Sequence, residues 1–107
     1  MRRVILESPY AGDIDGNVAY ARRCLRDCIT RGEAPIASHL LFTQPGVLRD
    51  DLPDERKLGI QAGLAWLPVA DAMVLYVDHG ISSGMADAKR AAEAFGLPWE
   101  VRRIEDL

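Results

Sequence analysis

Three short stretches of the chain gather side chains that can do chemistry. The first is Glu7-Ser8-Pro9-Tyr10-Ala11-Gly12-Asp13, which offers two carboxyls and two hydroxyls directly after the apolar run Val4-Ile5-Leu6. The second is Ser38-His39. The third is Asp78-His79-Gly80-Ile81-Ser82-Ser83-Gly84-Met85. Carboxyls and an imidazole can move protons. A helix that opens at Ser82-Ser83 would aim free backbone N–H groups, with two hydroxyls, at a phosphate or carboxylate. Singly, each residue has a plainer reading, since Ser, Asp and Gly are what turns and helix caps need. Together, the three clusters point to a site.

What positions them is an alternation of elements. Arg3 to Ser8 reads as a buried strand. Asp13 or Asp15 can cap a helix that runs to about Arg31 and stops at Gly32. Within it Val18, Ala21, Cys24, Leu25, Cys28 and Ile29 recur at helical spacing. Ala34 to Ser38 reads as a second strand. Residues 40–52 are loop-like, with Gln44-Pro45-Gly46 as a turn signal. A helix starts near Pro53-Asp54-Glu55, where proline suits the first turn and carboxylates suit the positive helix end. It runs to about Trp66. Ala72 to Val77 is an unbroken apolar run, as a central parallel strand requires. A third helix, capped by Ser82 or Ser83, puts Met85, Ala88, Ala91, Ala92 and Phe95 on its inner side and ends at Gly96. Trp99 to Ile104 makes the last strand.

Strands that alternate with helices imply a parallel sheet covered on both faces. The expected fold is a three-layer α/β/α sandwich, Rossmann- or flavodoxin-like, with strand order 2-1-3-4 and one domain over residues 1–107. Such sheets bind ligands beyond the carboxyl ends of their strands, where the strand order reverses. All three reactive stretches follow strand ends, so they should share that edge.

Composition narrows the function. The chain has 107 residues, a net charge of -3 and 49% hydrophobic residues. The arginines come in pairs, Arg2-Arg3, Arg22-Arg23 and Arg102-Arg103, rather than tracts, so no nucleic-acid partner is expected. No apolar run is long enough to span a membrane. The start Met1-Arg2-Arg3-Val4 leads into a strand rather than a signal peptide, and a cytoplasmic location is expected. Cys24 and Cys28 read as buried thiols, because two sulfurs alone do not make a zinc site. No metal and no cofactor is expected. The third stretch is not a Walker loop, and the first lacks the glycines of a dinucleotide fingerprint.

The segment ESPYAGDIDGNVAYARRCL resembles the opening of the nucleoside 2-deoxyribosyltransferase-like superfamily, where a strand leads to a Pro-Tyr turn and then an Asn on the first helix. Here these are Pro9, Tyr10 and Asn17. RGEAPIASHLL is similar to that superfamily's second strand, and VADAMVLYVDHGISSGMADAKRAAEAFGLPW to its third strand, glycine turn and following helix. The likeness covers nearly the whole chain and is nearest to small phage and bacterial members. It implies a nucleoside or nucleotide ligand, an N-glycosidic bond that is broken or transferred, and a homo-oligomer.

The likeness also implies three carboxylates that are missing. Their positions hold Ala88, Gly63 and Ser82. Asp87 is the nearest acid, but one residue along a helix is a rotation of about 100°. Glu7, Asp13, Glu55, Asp78 and Asp87 remain as candidate carboxyls. The catalytic candidates are Tyr10 and Asp87. The ligand-binding candidates are Ser8, Pro9, Tyr10, Asp13, Asn17, Ser38, His39, Asp78, Ser82, Ser83, Gly84 and Met85. Three functions stay open: an N-glycosidase or transferase, a non-catalytic sensor or sequestering protein for a nucleotide signal in phage–host conflict, and a structural subunit with a vestigial pocket. The long segment LFTQPGVLRDDLPDER reads as a lid or an oligomer contact, with Glu55 and Arg56 able to reach the site from above.

Overall fold

A computed structural model of the chain describes residues 1–104. Strand β1 (Arg2–Glu7) is followed by α1 (Ile14–Thr30), β2 (Glu33–Ile36), α2 (Pro53–Leu64), β3 (Ala72–Tyr76), α3 (Ser83–Phe95) and β4 (Trp99–Arg102). Two short 3-10 turns, Ser38–Leu40 and Leu67–Val69, follow β2 and α2. The four strands are parallel in the order β2-β1-β3-β4. Ile5 lies between Ile36 on one side and Met73 on the other. The order therefore reverses between β1 and β3, as the alternation of elements requires.

Period-two alternation sorts β1 between two cores. Val4 and Leu6 face α1, where Tyr20, Cys24 and Cys28 pack with Ala72, Val74 and Tyr76. Those helical residues fall at intervals of four, which is what brings them to one stripe. Ile5 points the other way and packs with Met73, Leu75, Val77, Met85 and Ala92. Glu7 shares the face of Ile5, so strand geometry alone carries its carboxyl to the α2–α3 side. β3 is buried at every position and forms the spine of both cores.

The helix ends follow their caps. Asp13 Oδ1 accepts the Gly16 N–H at 3.2 Å, and Ser82 Oγ accepts the Met85 N–H at 3.2 Å. α3 ends on Gly96 at φ +85°, a left-handed conformation that glycine adopts without a Cβ clash. α2 differs from the other helices, because none of its residues is buried. Leu58 stands 55% exposed on its outer face.

Several element boundaries depart from the sequence reading. β2 closes at Ile36, because Ser38 to Leu40 winds into a 3-10 turn. α2 closes at Leu64 rather than Trp66, since Pro68 forces the tight turn at Leu67–Val69. β4 closes at Arg102. Phe95, assigned by spacing to the inner side of α3, is 54% exposed at the helix end. Asp71 stands just before β3, where its Oδ2 accepts the Arg3 N–H at 2.7 Å.

One buried ion pair ties the two edge strands. Arg102 of β4 donates through both terminal nitrogens to Glu33 of β2, each at 2.6 Å. Arg2 joins Glu33 at 3.1 Å and Glu100 at 3.0 Å. The Arg102 guanidinium holds the Glu33 carboxyl below its usual range. Tyr76 Oη donates to Asp27 Oδ2 at 2.5 Å and lies 3.3 Å from Cys28 Sγ, so the thiol sits inside this network. Burial pushes Cys24 up to about 12, and both thiols are free and buried.

Candidate functional site

A cavity of about 280 Å³ opens at the carboxyl ends of β1 and β2, between α2 and the start of α3. Its floor is apolar: Ile5, Ile36, Leu67 and Met73. Around the floor stand Glu7, Tyr10, Ser38, His39, Ser82 and Ser83, with Asp50, Glu55 and Arg56 on the side of the 41–52 loop and α2. An apolar body with a few convergent polar groups is the usual form of a small-molecule site.

Each wall has a local cause. Glu7 is the last residue of β1 and Tyr10 belongs to the turn that follows. Asn17 fixes that turn: its Nδ2 donates to the Tyr10 carbonyl at 2.8 Å and the Ala11 carbonyl at 3.2 Å. Tyr10 stacks on His39, with ring centroids 4.9 Å apart and planes 18° apart. His39 Nδ1 is buried without a hydrogen-bond partner among the described residues. Desolvation lowers the His39 pKa, so the imidazole is neutral at neutral pH. The His39 carbonyl accepts from Thr43 Oγ1 at 2.8 Å, which anchors the loop to the second strand end.

Gly59 and Gly63 lie one turn apart on α2 and both line the cavity. A Cβ on Gly63 would meet nothing within 4 Å. The absence of side chains at these two positions leaves the cavity its width. Opposite them, Ser82 uses its Oγ to cap α3, while Ser83 and Gly84 of the first turn border the cavity. First-turn N–H groups have no partner within a helix, so this wall is rich in donors.

Glu7 has the most altered chemistry in the site. Its half-buried carboxyl has no hydrogen bond or ion pair with a described residue, and burial pushes its pKa up to about 8. It is therefore mostly protonated at pH 7. Asp50 instead pairs with Arg56 at 3.4 Å, and Glu55 accepts the Arg49 N–H at 3.0 Å. Asp87 borders the cavity but is largely exposed and pairs with Arg90.

Of the residues singled out from the sequence, Glu7, Tyr10, Ser38, His39, Glu55, Arg56, Ser82, Ser83, Gly84 and Asp87 line this cavity. The others stand behind or beside it. Asp13 caps α1 at its exposed end. Asn17 holds the Tyr10 turn from behind. Asp78 Oδ1 accepts from Tyr20 Oη at 2.5 Å and from the Ile104 N–H at 3.1 Å, on the α1 side of the sheet. Met85 and Ser8 are almost fully buried, Met85 within the α3 core, and Pro9 is buried in the turn. His79 packs against Tyr20 rather than the cavity. Sequence reasoning did not single out Phe42, Thr43, Asp50 or Gly59, all of which line it. The unusual loop length was the signal for that segment, though not for those residues. No group of three or more His, Cys, Asp or Glu among the described residues is placed to hold a metal ion.

A second, larger groove of about 740 Å³ lies beside β2, lined by Val4, Leu25, Pro35, Ile36, Leu41 and Val69 among others. Arg3 is its single charged lining residue. It has greater volume but no carboxyl, imidazole or hydroxyl side chain in its lining for proton transfer, so the smaller cavity is the candidate site.

The three positions at which the resemblance implies a carboxylate meet here. Ala88, Gly63 and Ser82 all line the cavity that holds Glu7. The fold itself is similar to a solved 2-deoxyribosyltransferase from the psychrotolerant bacterium Bacillus psychrosaccharolyticus, described as a biocatalyst for nucleoside synthesis. The TM-score is 0.66 at 19% identity, over 98% of this chain and 74% of that one. The chain thus has a nucleoside deoxyribosyltransferase-like fold. No curated protein matches it in sequence. A family model does match across residues 2–102, and the chain belongs to that family, described as a domain of unknown function (DUF7768).

Proposed function

We propose that the cavity binds a nucleoside or mononucleotide and that its N-glycosidic bond is cleaved or transferred there. The observation that carries this reading is the meeting, in one cavity, of the Tyr10–His39 aromatic pair and the donor-rich start of α3. An aromatic pair suits the flat, apolar face of a base. A helix N-terminus with serines suits a ribose hydroxyl or a phosphate. The deoxyribosyltransferase-like fold agrees with both. A volume of about 280 Å³ falls just below the roughly 300–1,000 Å³ typical of small-molecule pockets, which favours one nucleoside unit over a dinucleotide.

A second reading is a binder without catalysis, a sensor or sequestering protein for a nucleotide signal. The alanine, glycine and serine at Ala88, Gly63 and Ser82 favour it, since none can supply a carboxylate. We further read residues 1–107 as a single cytoplasmic domain that self-associates through exposed apolar residues such as Leu58 and Val69. Sedimentation velocity tests this, and a monomer at micromolar concentration would sink it.

The deciding experiment is a panel of nucleosides, mononucleotides, cyclic nucleotides and ADP-ribose-type compounds. Thermal shift reports binding, and chromatography of the ligand recovered after denaturation reports bond cleavage. Free base in the eluate establishes the enzyme. A shift with intact ligand establishes the binder. No shift with any compound refutes the nucleoside reading.

A further inference from the structure

Four carboxyl side chains border the cavity among the described residues, and three have partners. Asp50 pairs with Arg56, Glu55 accepts from the Arg49 backbone, and Asp87 pairs with Arg90 in open solvent. Glu7 has none. It projects from the end of β1 onto the same face as Ile5, at the apolar floor. A carboxyl left without a partner in such a place contributes nothing to the fold that a hydrocarbon would not contribute more cheaply. Its placement makes sense when a ligand supplies the missing partner.

We propose that Glu7 is the catalytic acid of this cavity, giving its proton to the departing base of an N-glycosidic ligand. The inference rests on the nucleoside reading above. The bond between the anomeric carbon and the base nitrogen breaks, and its electron pair stays on nitrogen. The proton on the Glu7 carboxyl goes to the base. A water oxygen bonds to the anomeric carbon and its proton returns to Glu7. The sum is ligand plus water giving free base plus sugar, with no oxidant, reductant or metal in the balance.

The surroundings favour an acid rather than a nucleophile at this position. A buried carboxyl without a cation keeps its proton at neutral pH. The titratable and charged groups that share the cavity are Tyr10, His39, Asp50, Glu55, Arg56 and Asp87. His39 is neutral, and Arg56 is engaged by Asp50. Asp87 lies in water beside Arg90 and is poorly placed to hold a proton for transfer.

The test compares the full chain with Glu7→Gln, Glu7→Asp and Glu93→Gln, using every compound of the nucleoside and mononucleotide panel. Calorimetry reads binding and chromatography reads free base, each from pH 5 to 9. The expected result is base release by the parent chain that declines as pH rises through about 8. Glu7→Gln should bind within about threefold of the parent and release base at least about 100-fold more slowly. Glu7→Asp keeps an acidic proton and should recover part of the rate. Glu93→Gln, a surface residue of α3 outside the cavity, should stay within about threefold. Release that is unaffected by Glu7→Gln overturns the proposal. Binding without release by the parent chain also overturns it and leaves the nucleoside reading intact. Failure of every compound to bind overturns both.

Discussion

Tyr10 and His39 stack face to face across the ends of two neighbouring strands, with ring centroids 4.9 Å apart. The contact joins the turn after β1 to the 3-10 turn after β2. It also turns two half-buried rings into one wall of the cavity, so the two ends of the sheet act as a unit. Asn17 supports the arrangement from behind by holding the Tyr10 and Ala11 carbonyls.

This wall should matter more for binding than for stability. An aromatic pair contributes about 0.5–1.5 kcal/mol beyond its buried area. Tyr10→Ala and His39→Ala are each expected to weaken affinity for the best compound of the panel by about tenfold, with a modest drop in melting temperature. Calorimetric titration checks the first and thermal melting the second. Unchanged affinity in both variants would remove the rings from the site.

The width of the cavity depends on Gly63. Its Cβ position is open, and the residue lies within a helix. Gly63→Leu should fold, gaining up to about 1 kcal/mol in helix propensity. The new side chain would occupy the cavity, and binding should fall at least about tenfold. Circular dichroism and the same titration separate the two effects. A variant that folds and binds normally would place the ligand elsewhere.

Glu7 should make the protein less stable as pH rises. Its folded pKa of about 8 lies above the 4.5 of an ordinary glutamate. The unfolded chain ionises first, so the cost is absent below about pH 4.5, grows as pH rises, and is complete above about pH 8. Glu7→Gln removes it. The expected gain is roughly 1–3 kcal/mol at pH 8 and much less at pH 5. Urea unfolding at the two pH values measures the difference. Equal gains at both would show that the carboxyl ionises freely in the folded protein.

The Glu33–Arg102 pair has the opposite sign. The Glu33 pKa is lowered, mainly by its hydrogen bonds to Arg102, so its contribution is present above about pH 4.5 and is lost as pH falls through the folded value. Glu33→Ala leaves a buried guanidinium without its main partner and should cost about 3 kcal/mol. Glu33→Leu combined with Arg102→Met should recover most of that loss, because neither charge is then stranded. Urea denaturation at pH 7 provides the comparison. A single variant as stable as the parent would show the pair to be solvated.

Local patterns in the chain were enough to establish the architecture. The run Ala72 to Val77 could only be a strand buried on both faces, and the stripe through Ala21, Cys24 and Cys28 could only be the inner side of a helix. Gly32 and Gly96 mark helix ends for a steric reason that needs no neighbours. Alternating strands and helices then leave the parallel order β2-β1-β3-β4, and with it the sheet edge where the reactive stretches gather. These inferences work because hydrogen-bond geometry and hydrophobic periodicity act over a few residues.

Which residues face the cavity was settled by longer-range packing. Asp78 and Ser82 are four residues apart in one loop, yet Tyr20 draws Asp78 to the α1 side while Ser82 stays at the cavity. Asp87 and Glu7 are both acidic and both near the edge, but one meets Arg90 in solvent and the other meets no partner at the cavity floor. Sequence spacing cannot distinguish such cases. The partner of a side chain, and the water left around it, are set by residues up to 98 positions away. The chain thus encoded its sheet locally, and only the folded arrangement decided that Glu7 should keep its proton.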